Sequence, residues 1–178
     1  MAPARARPAY IAGITSSGAS TMKRLLATAL LLSAFCHPLA HAQPAGDDAV
    51  AVAEIGTIVK AFQAAIVAKD RAALEAMFLP ADNSWLTVAS DAVKRKPGQP
   101  RVRPSSYRQF AEFVGNSKLP VEERFYNVRI HSNGSVGAVY FDFDFVEDGK
   151  VTNRGAESWH LVKTESGWKI SSMVFSLG

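Results

Sequence analysis

The sequence predicts an α+β domain in which a cone-shaped, strongly curved antiparallel sheet wraps over three N-terminal helices. Residues 121–176 form one long run of alternating sequence, cut by Asn133-Gly134, Asp148-Gly149 and Gly167. Asn-Gly and Asp-Gly between alternating segments are strong hairpin signals, because both central residues of a type I′ turn need a positive φ. Residues 47–116 instead repeat apolar residues mostly at helical spacing, which places the helices before the sheet.

The first helix is predicted over residues 47–69. Asp47 and Asp48 at its start suit the positive end of the helix dipole. Its apolar residues recur every three or four positions and so form one buried stripe: Val52, Ile55, Val59, Phe62 and Ile66.

A second, short helix is predicted over residues 71–78, with Asp70 as its cap and Pro80 after its end. Its inward side chains are expected to be Leu74, Met77 and Phe78. Residues 84–89 then read as a short strand, and the third helix is predicted over residues 107–116. Ser106 and Gln109 match a capping box, and the apolar stripe comprises Phe110, Phe113 and Val114.

A loop is predicted over residues 91–105, and it carries five basic residues: Lys94, Arg95, Lys96, Arg101 and Arg103. Such a loop could guard a pocket mouth and attract an anionic ligand. The alternative is a solvated, mobile segment, because its charges are spread between prolines rather than set on a scaffold.

The start of the chain resembles an export signal. Met22-Lys23-Arg24 is basic, residues 25–35 are uncharged, and Ala40-His41-Ala42 supplies the small residues of a cleavage site before Gln43. We therefore interpret residues 1–21 as a mis-called upstream start, 22–42 as a signal peptide and 43–178 as one domain. The expected location is the periplasm or the exterior, without a stable membrane anchor.

Composition excludes several function classes for residues 43–178. The only cysteine is Cys36, so this part has no disulfide, thiol nucleophile or cysteine metal site. Four of the twenty basic residues precede residue 43, which leaves sixteen against sixteen acidic residues and gives no support for nucleic-acid binding. The sequence shows no Gly-rich phosphate loop and no GxSxG motif, and we expect no cofactor and no metal.

The two tight turns predict which side chains share a face of the sheet. Two-residue turns place Ile130 opposite Gly137 and Phe141 opposite Ala156. The inner face is then expected to hold Tyr126, Val128, Ile130, Val139, Phe141, Phe143, Ala156, Ser158, His160, Val162, Ile170, Ser172 and Val174. The outer face is expected to hold Phe125, Asn127, Arg129, Tyr140, Asp142, Asp144, Glu157, Trp159, Leu161, Met173 and Phe175. A β-bulge would exchange the faces beyond it.

An apolar concavity with a few polar groups is the usual small-molecule site. The predicted ligand-binding residues are Trp85, Tyr126, Phe141, Phe143, Ser158, His160 and Ser172. His160 could act as a general base with Tyr126 as a proton donor. The alternative is a buried neutral histidine that bonds Ser158, Ser172 or a backbone group.

Asp142, Asp144 and Glu157 could form paired carboxylates for acid–base or metal chemistry. The favoured interpretation is a solvent-facing strand that pairs with Arg129. Apolar residues on the predicted outer face, such as Trp159 and Met173, suggest a homodimer that packs sheet to sheet.

Two segments resemble the nuclear transport factor 2-like superfamily, in its SnoaL-like and ketosteroid-isomerase-like branch, which has a cystatin-like fold. They are Ala68-Lys69-Asp70 followed by Ala-Leu-Glu-Ala-Met-Phe at 73–78, and Trp-His-Leu-Val-Lys-Thr-Glu-Ser-Gly-Trp-Lys-Ile at 159–170. The resemblance spans about residues 50–176, marks the fold more than the function, and also implies a dimer.

The best-understood chemistry of that branch is proton transfer beside a ketone. The position of its tyrosine donor falls on Phe62, and that of its aspartate base near Leu86 or Thr87. Glu157 lies near the late-strand acid but is predicted to face outward. This mismatch argues against ketosteroid-type isomerisation.

Three functions therefore remain open. The first is an exported domain that binds a small, mostly apolar ligand without established catalysis. The second is a lyase, isomerase or hydrolase with His160 as its base. The third is a structural or interaction module whose cavity is filled by its own side chains: Trp85, Phe110, Phe113 and Phe143.

Overall fold

The computed structural model describes residues 46–81 and 83–178. The predicted upstream residues 1–21 and signal peptide 22–42, with Cys36, lie outside this part of the chain. The helices are α1 (Ala49–Ala68), α2 (Arg71–Ala76) and α3 (Tyr107–Asn116). The strands are β1 (Ser84–Ala89), β2 (Val102–Pro104), β3 (Val121–Ser132), β4 (Val136–Glu147), β5 (Lys150–Thr164) and β6 (Gly167–Leu177).

The strands form one six-stranded, curved and open sheet in the order β2-β1-β6-β5-β4-β3. The meander β3 to β6 is antiparallel, and β1 adds in parallel beside β6. This confirms the predicted α+β class. The loop predicted over residues 91–105 contains the short edge strand β2, which pairs with β1.

Helix α1 is fixed at both ends by its own sequence. Asp48 caps it by accepting bonds from the backbone N–H groups of Val50 and Ala51, at 3.0 and 2.9 Å. Lys69 ends it in the left-handed region at φ 55°. By length and composition α1 could cross a membrane. In the structure its buried stripe belongs to the hydrophobic core: Ala51, Ile55, Val59, Phe62, Ala65 and Ile66.

The predicted caps of the two shorter helices are also present. Asp70 accepts from the N–H of Ala73 at 2.9 Å, and Ser106 accepts from the N–H of Gln109 at 3.2 Å. Helix α3 buries Tyr107, Ala111 and Val114. This differs from the predicted stripe, because only Val114 of that stripe is fully buried.

The two glycine turns behave differently. Asp148 and Gly149 both have positive φ, and Glu147 pairs with Lys150, as predicted for a two-residue turn. At the other turn Ser132 pairs with Gly137, so the connection has four residues. The side-chain oxygen of Asn133 accepts from the N–H groups of Ser135 and Val136, both at 3.0 Å, which stabilises the longer loop.

Three β-bulges change the predicted faces. An extra residue lies in β3 between Tyr126 and Arg129, where Asn127 has φ 53°, in β5 at Thr152, and in β6 at Ser171. Each extra residue reverses the alternation beyond it.

The predicted face was therefore wrong for half of the sheet. Tyr126, Ser158, His160, Ser172 and Val174 point outward. The inner face instead receives residues that had been assigned to the outer one: Phe125, Glu157, Trp159, Leu161, Met173 and Phe175. Ile130, Val139, Phe141, Phe143 and Ile170 face inward as predicted.

Candidate functional site

A cavity of about 390 Å³ lies between the inner face of the sheet and the helices. Most of its wall is aromatic, and the rings come from helices and strands alike: Phe62 (α1), Trp85 (β1), Phe110 and Phe113 (α3), Phe143 and Phe145 (β4) and Phe175 (β6). Met173 and Leu177 complete the apolar part. Volume and lining are those of a small-molecule site.

The rings pack on one another and so hold the shape of the cavity. Phe62 stacks on Phe110 with centroids 5.9 Å apart, and Trp85 lies 5.4 Å from Phe110. Phe143 meets Phe175 edge to face at 6.2 Å. The four side chains that the third hypothesis expects to fill the cavity line it in the structure: Trp85, Phe110, Phe113 and Phe143.

The polar part of the wall comes from three consecutive strands. It comprises Glu123 on β3, Glu147 on β4, and Thr152, Asn153 and Glu157 on β5. Thr152 donates to Glu147 at 3.2 Å. Among the residues that line this cavity, none is a lysine, arginine or histidine.

Glu157 reaches the cavity because of the bulge at Thr152. The extra residue shifts the register so that Glu157, rather than Ala156, lies opposite Phe141. Gly155 lies two residues before Glu157 and on the same face. It lets the strand approach β6 closely, since a Cβ there would lie 2.1 Å from the carbonyl oxygen of Ser176. The indole N–H of Trp159 donates to the Glu157 carboxyl.

Glu123 is the second buried acid and was not identified from the sequence. Only 6% of the residue is exposed. Among residues 46–81 and 83–178, no hydrogen bond to its carboxyl is present, so it faces the cavity without a protein partner. The sequence Glu122-Glu123-Arg124 reads as solvent-facing, and the only contrary signal is its alternation with Val121 and Phe125.

Burial raises the pKa values of both acids. Burial raises the pKa of Glu157 to about 8, although the bond from Trp159 opposes this rise. Burial, and then the nearby charge of Glu157, hold the pKa of Glu123 well above its usual range. Both carboxyls therefore hold protons at neutral pH, and ionising one of them makes ionising the other harder.

The structure separates the predicted site residues into two groups. Trp85 and Phe143 line the cavity, and Phe141 is buried behind it against Phe125 and Trp159. The other four, Tyr126, Ser158, His160 and Ser172, lie on the outer face and do not reach the cavity. The prediction that they face inward was wrong because the bulges reverse β3, β5 and β6 locally.

His160 is exposed and bonds Ser172, with 2.9 Å between Nδ1 and Oγ. It borders an open groove on the outer surface together with His131. His131 in turn contacts Asp47 at 3.0 Å. Neither interpretation of His160, as an inward general base or as a buried neutral histidine, fits this position.

The other acidic residues of the sheet are surface groups. Asp142 accepts from Asn127 at 2.7 Å, and Asp144 lies 3.6 Å from Arg154. They face outward as predicted but bond these residues in place of Arg129. Glu157, which had been grouped with them, is separated from them by the corrected register. In the described part of the chain no cluster of three metal-ligating side chains occurs.

The basic loop lies away from the cavity lining. Arg101 pairs with Asp91 within the loop at 2.9 Å.

The positions that the ketosteroid isomerase resemblance implied do not carry its catalytic groups. Phe62 lines the cavity without a hydroxyl group, while Leu86 and Thr87 are not part of the lining. Glu157 does face inward, which corrects the prediction on the late-strand acid.

Comparison with known proteins agrees with this architecture. A structure from Streptomyces avermitilis, described as a candidate dehydratase of the NTF2-like family, is 20% identical, with a TM-score of 0.54 over 72% of this chain and 96% of its own. An NTF2-like protein of unknown function from Pseudomonas putida gives a TM-score of 0.59 at 12% identity, over 74% and 89%. A cystatin-like fold protein from Burkholderia xenovorans gives 0.52 at 16% identity, over 73% and 93%.

These identities show a shared fold and no more. No curated protein matches the chain. The model of the SnoaL-like domain matches residues 55–178, which include both buried glutamates and every residue that lines the cavity. The chain therefore belongs to the SnoaL-like domain family and shares the fold of NTF2-like proteins.

Proposed function

We propose that this protein binds a small, mostly apolar ligand in the aromatic cavity, with the polar end of the ligand at Glu123 and Glu157. The observation that carries the proposal is a preformed cavity of about 390 Å³ in which aromatic rings surround two buried carboxyls. Apolar walls provide the affinity of such a site, and a few polar groups fix the orientation of the ligand.

The test is binding of N-phenyl-1-naphthylamine, an uncharged fluorescent probe, followed by its emission and by the melting temperature. A ligand that binds only the native state raises the melting temperature. Phe143→Leu should weaken binding, because Phe143 lines the cavity. Tyr140→Leu is the matched control, since Tyr140 is exposed on the outer face of the same strand. Equal loss in both variants, or no binding to the wild type, would contradict the proposal.

Acid–base catalysis is the second candidate function. Two adjacent carboxyls with raised pKa values can donate and accept a proton near neutral pH, and such catalysis contributes roughly 10²- to 10⁴-fold to a rate. The candidate dehydratase from Streptomyces avermitilis shares the fold, which makes a lyase or isomerase a reasonable class to test. This candidate replaces the one based on His160.

Exchange of the α-protons of 2-tetralone in D₂O tests this candidate directly. Wild type should accelerate the exchange, and Glu157→Gln should abolish the acceleration. Glu165→Gln, in the exposed β5–β6 turn, should leave it unchanged. Acceleration that survives both Glu157→Gln and Glu123→Gln would exclude the buried pair.

Export and dimerisation also remain proposals. The basic, apolar and small-residue pattern of residues 22–42 supports export, and the test is whether the secreted form begins at Gln43.

A homodimer through the outer sheet face is supported by exposed Tyr126, Tyr140 and Val174. Sedimentation of wild type against a Tyr140→Lys variant tests it, since a charge there should favour the monomer.

A further inference from the structure

We propose that the polar end of the ligand is a positively charged nitrogen, so that this cavity is a site for a lipophilic organic cation such as an aryl- or alkylammonium. The inference deepens the proposed function and rests on it. It is carried by an unpartnered, nine-tenths buried carboxyl that faces the cavity, by a second carboxyl beside it, and by the aromatic wall around both.

The ionisable side chains that line the cavity favour a cation. Three carboxyl groups, those of Glu123, Glu147 and Glu157, line it, and no basic side chain does. An anion would find no positively charged partner among the lining side chains, and an uncompensated charge is destabilising in a buried site. The site therefore selects against acids, despite the basic loop elsewhere on the surface.

The arrangement of rings beside the carboxyls adds to this preference. On the inner face Glu157 pairs across the ladder with Phe175, and Glu123 pairs with Phe145. Phe143 lies on the strand between them. A cation held at the carboxyls would thus lie among several aromatic rings, and cation–π attraction is strongest where water is excluded.

A cation can replace the proton of one acid. With the pKa of Glu157 at about 8, ionising this group at pH 7 reduces the apparent affinity by only about tenfold. Glu123 keeps its proton and can donate a hydrogen bond to the new carboxylate. The groups that face this pair are Glu147 from β4 and, from α1, α3, β1 and β6, only the side chains of nonionisable residues. Binding should therefore release close to one proton near pH 7.

The experiment compares two probes of the same shape, phenyltrimethylammonium and tert-butylbenzene, by the melting temperature and by calorimetry. Because the ammonium probe has a fixed charge, any pH dependence belongs to the protein. Its affinity should rise by up to about tenfold per pH unit as the pH approaches 8. The affinity for tert-butylbenzene should change little over the same range.

Isosteric variants locate the effect. Glu157→Gln should weaken the binding of phenyltrimethylammonium by about tenfold or more at pH above 8, and Glu123→Gln should weaken it less, because Glu123 keeps its proton. They should leave the binding of tert-butylbenzene nearly unchanged, which also shows that the variants are folded. Glu165→Gln should behave as wild type.

The outcomes separate the two proposals. If tert-butylbenzene binds as tightly as the ammonium probe at every pH, the preference for a cation is wrong and the apolar site stands. If neither probe binds, both proposals fail. If the ammonium probe binds equally well to wild type and to both glutamine variants, the buried pair is not its site.

Discussion

At the residue scale, the ionisation of Glu157 makes the stability of the protein depend on pH. Its pKa is raised from 4.5 to about 8 on folding, so the native state holds a proton that the unfolded chain releases in this range. The protein should therefore be most stable below about pH 4.5 with respect to this group, and should lose stability as the pH rises to about 8.

Glu157→Gln should remove most of this dependence. The slope due to the group is on the order of 1.4 kcal/mol per pH unit between the two pKa values. The measurement is urea unfolding of wild type and variant at several pH values, and the variant should be the more stable protein at high pH. A variant whose stability falls with pH as steeply as that of wild type would show that Glu157 ionises normally.

Trp159 influences the pKa of the same carboxyl group. Its indole N–H donates to Glu157, and this bond lowers the Glu157 pKa against the effect of burial. Trp159→Phe keeps a ring against Phe62 and Phe141 but removes the donor. We expect the Glu157 pKa to move above about 8, measured from its carboxyl carbon shift by NMR. Trp168→Phe is the control, because its N–H bonds Glu54 instead.

At the element scale, Asp48 fixes the start of α1 beside the end of β3. Its carboxylate accepts two helical N–H groups, and its own N–H donates to the carbonyl of Ser132 at 2.8 Å. Asp48→Ala should lower the free energy of unfolding by about 1 kcal/mol, while Asp48→Asn, which can still cap, should cost much less. Urea unfolding distinguishes these results, and equal losses would mean that the charge matters more than the cap.

At Gly155 the backbone of β5 approaches that of β6 closely. A Cβ there would lie 2.1 Å from the backbone oxygen of Ser176. At Gly137 the closest atom would be the end of the Ile55 side chain, at 2.5 Å, and the nearest backbone oxygen, of His131, would lie at 3.5 Å, an ordinary contact distance. Because backbone cannot move aside as a side-chain terminus can, Gly155→Ala should be clearly more destabilising than Gly137→Ala. The comparison of melting temperatures tests this, and the reverse order would show that β6 yields more easily than the core around Ile55.

The elements themselves were predictable because their signals are local. The stripe of α1, the caps at Asp70 and Ser106 and the Asp148-Gly149 turn each depend on residues a few positions apart. The bulges were not predictable in the same way. Asn127 tolerates a positive φ, but Thr152 and Ser171 have no feature that marks them as extra residues.

Because the bulges were not predicted, only part of the candidate site could be predicted from the sequence. Aromatic members such as Trp85 and Phe143 were predicted from apolar patterning, because their strands keep the expected alternation. The acids were missed or misplaced. One inserted residue in β5 turns His160 to the outer face and Glu157 to the inner face. The proposed chemistry of the site therefore depends on Glu157 and not on His160.

At the scale of the whole molecule, the two buried acids favour the binding of a cation and lower the stability of the fold. Burying two adjacent carboxyls costs free energy whenever one of them ionises, and the fold retains both in its core. Such a cost is expected at a functional site, where local rules are broken in favour of binding. The same change that abolishes binding of a cation should thus stabilise the protein.

A double-mutant cycle with Glu123→Gln and Glu157→Gln tests this coupling. Once the pH is high enough to ionise both acids in the native state, each single change removes one ionisation cost and also the repulsion between the two carboxylates, so the repulsion is counted twice when the single effects are added. The double variant should therefore gain less stability than the sum of the single gains. At about pH 5 both acids are protonated, and the difference should vanish. Additive effects at both pH values would show that the two carboxyls are too far apart to act as one site, because only a direct interaction between them makes the difference depend on pH.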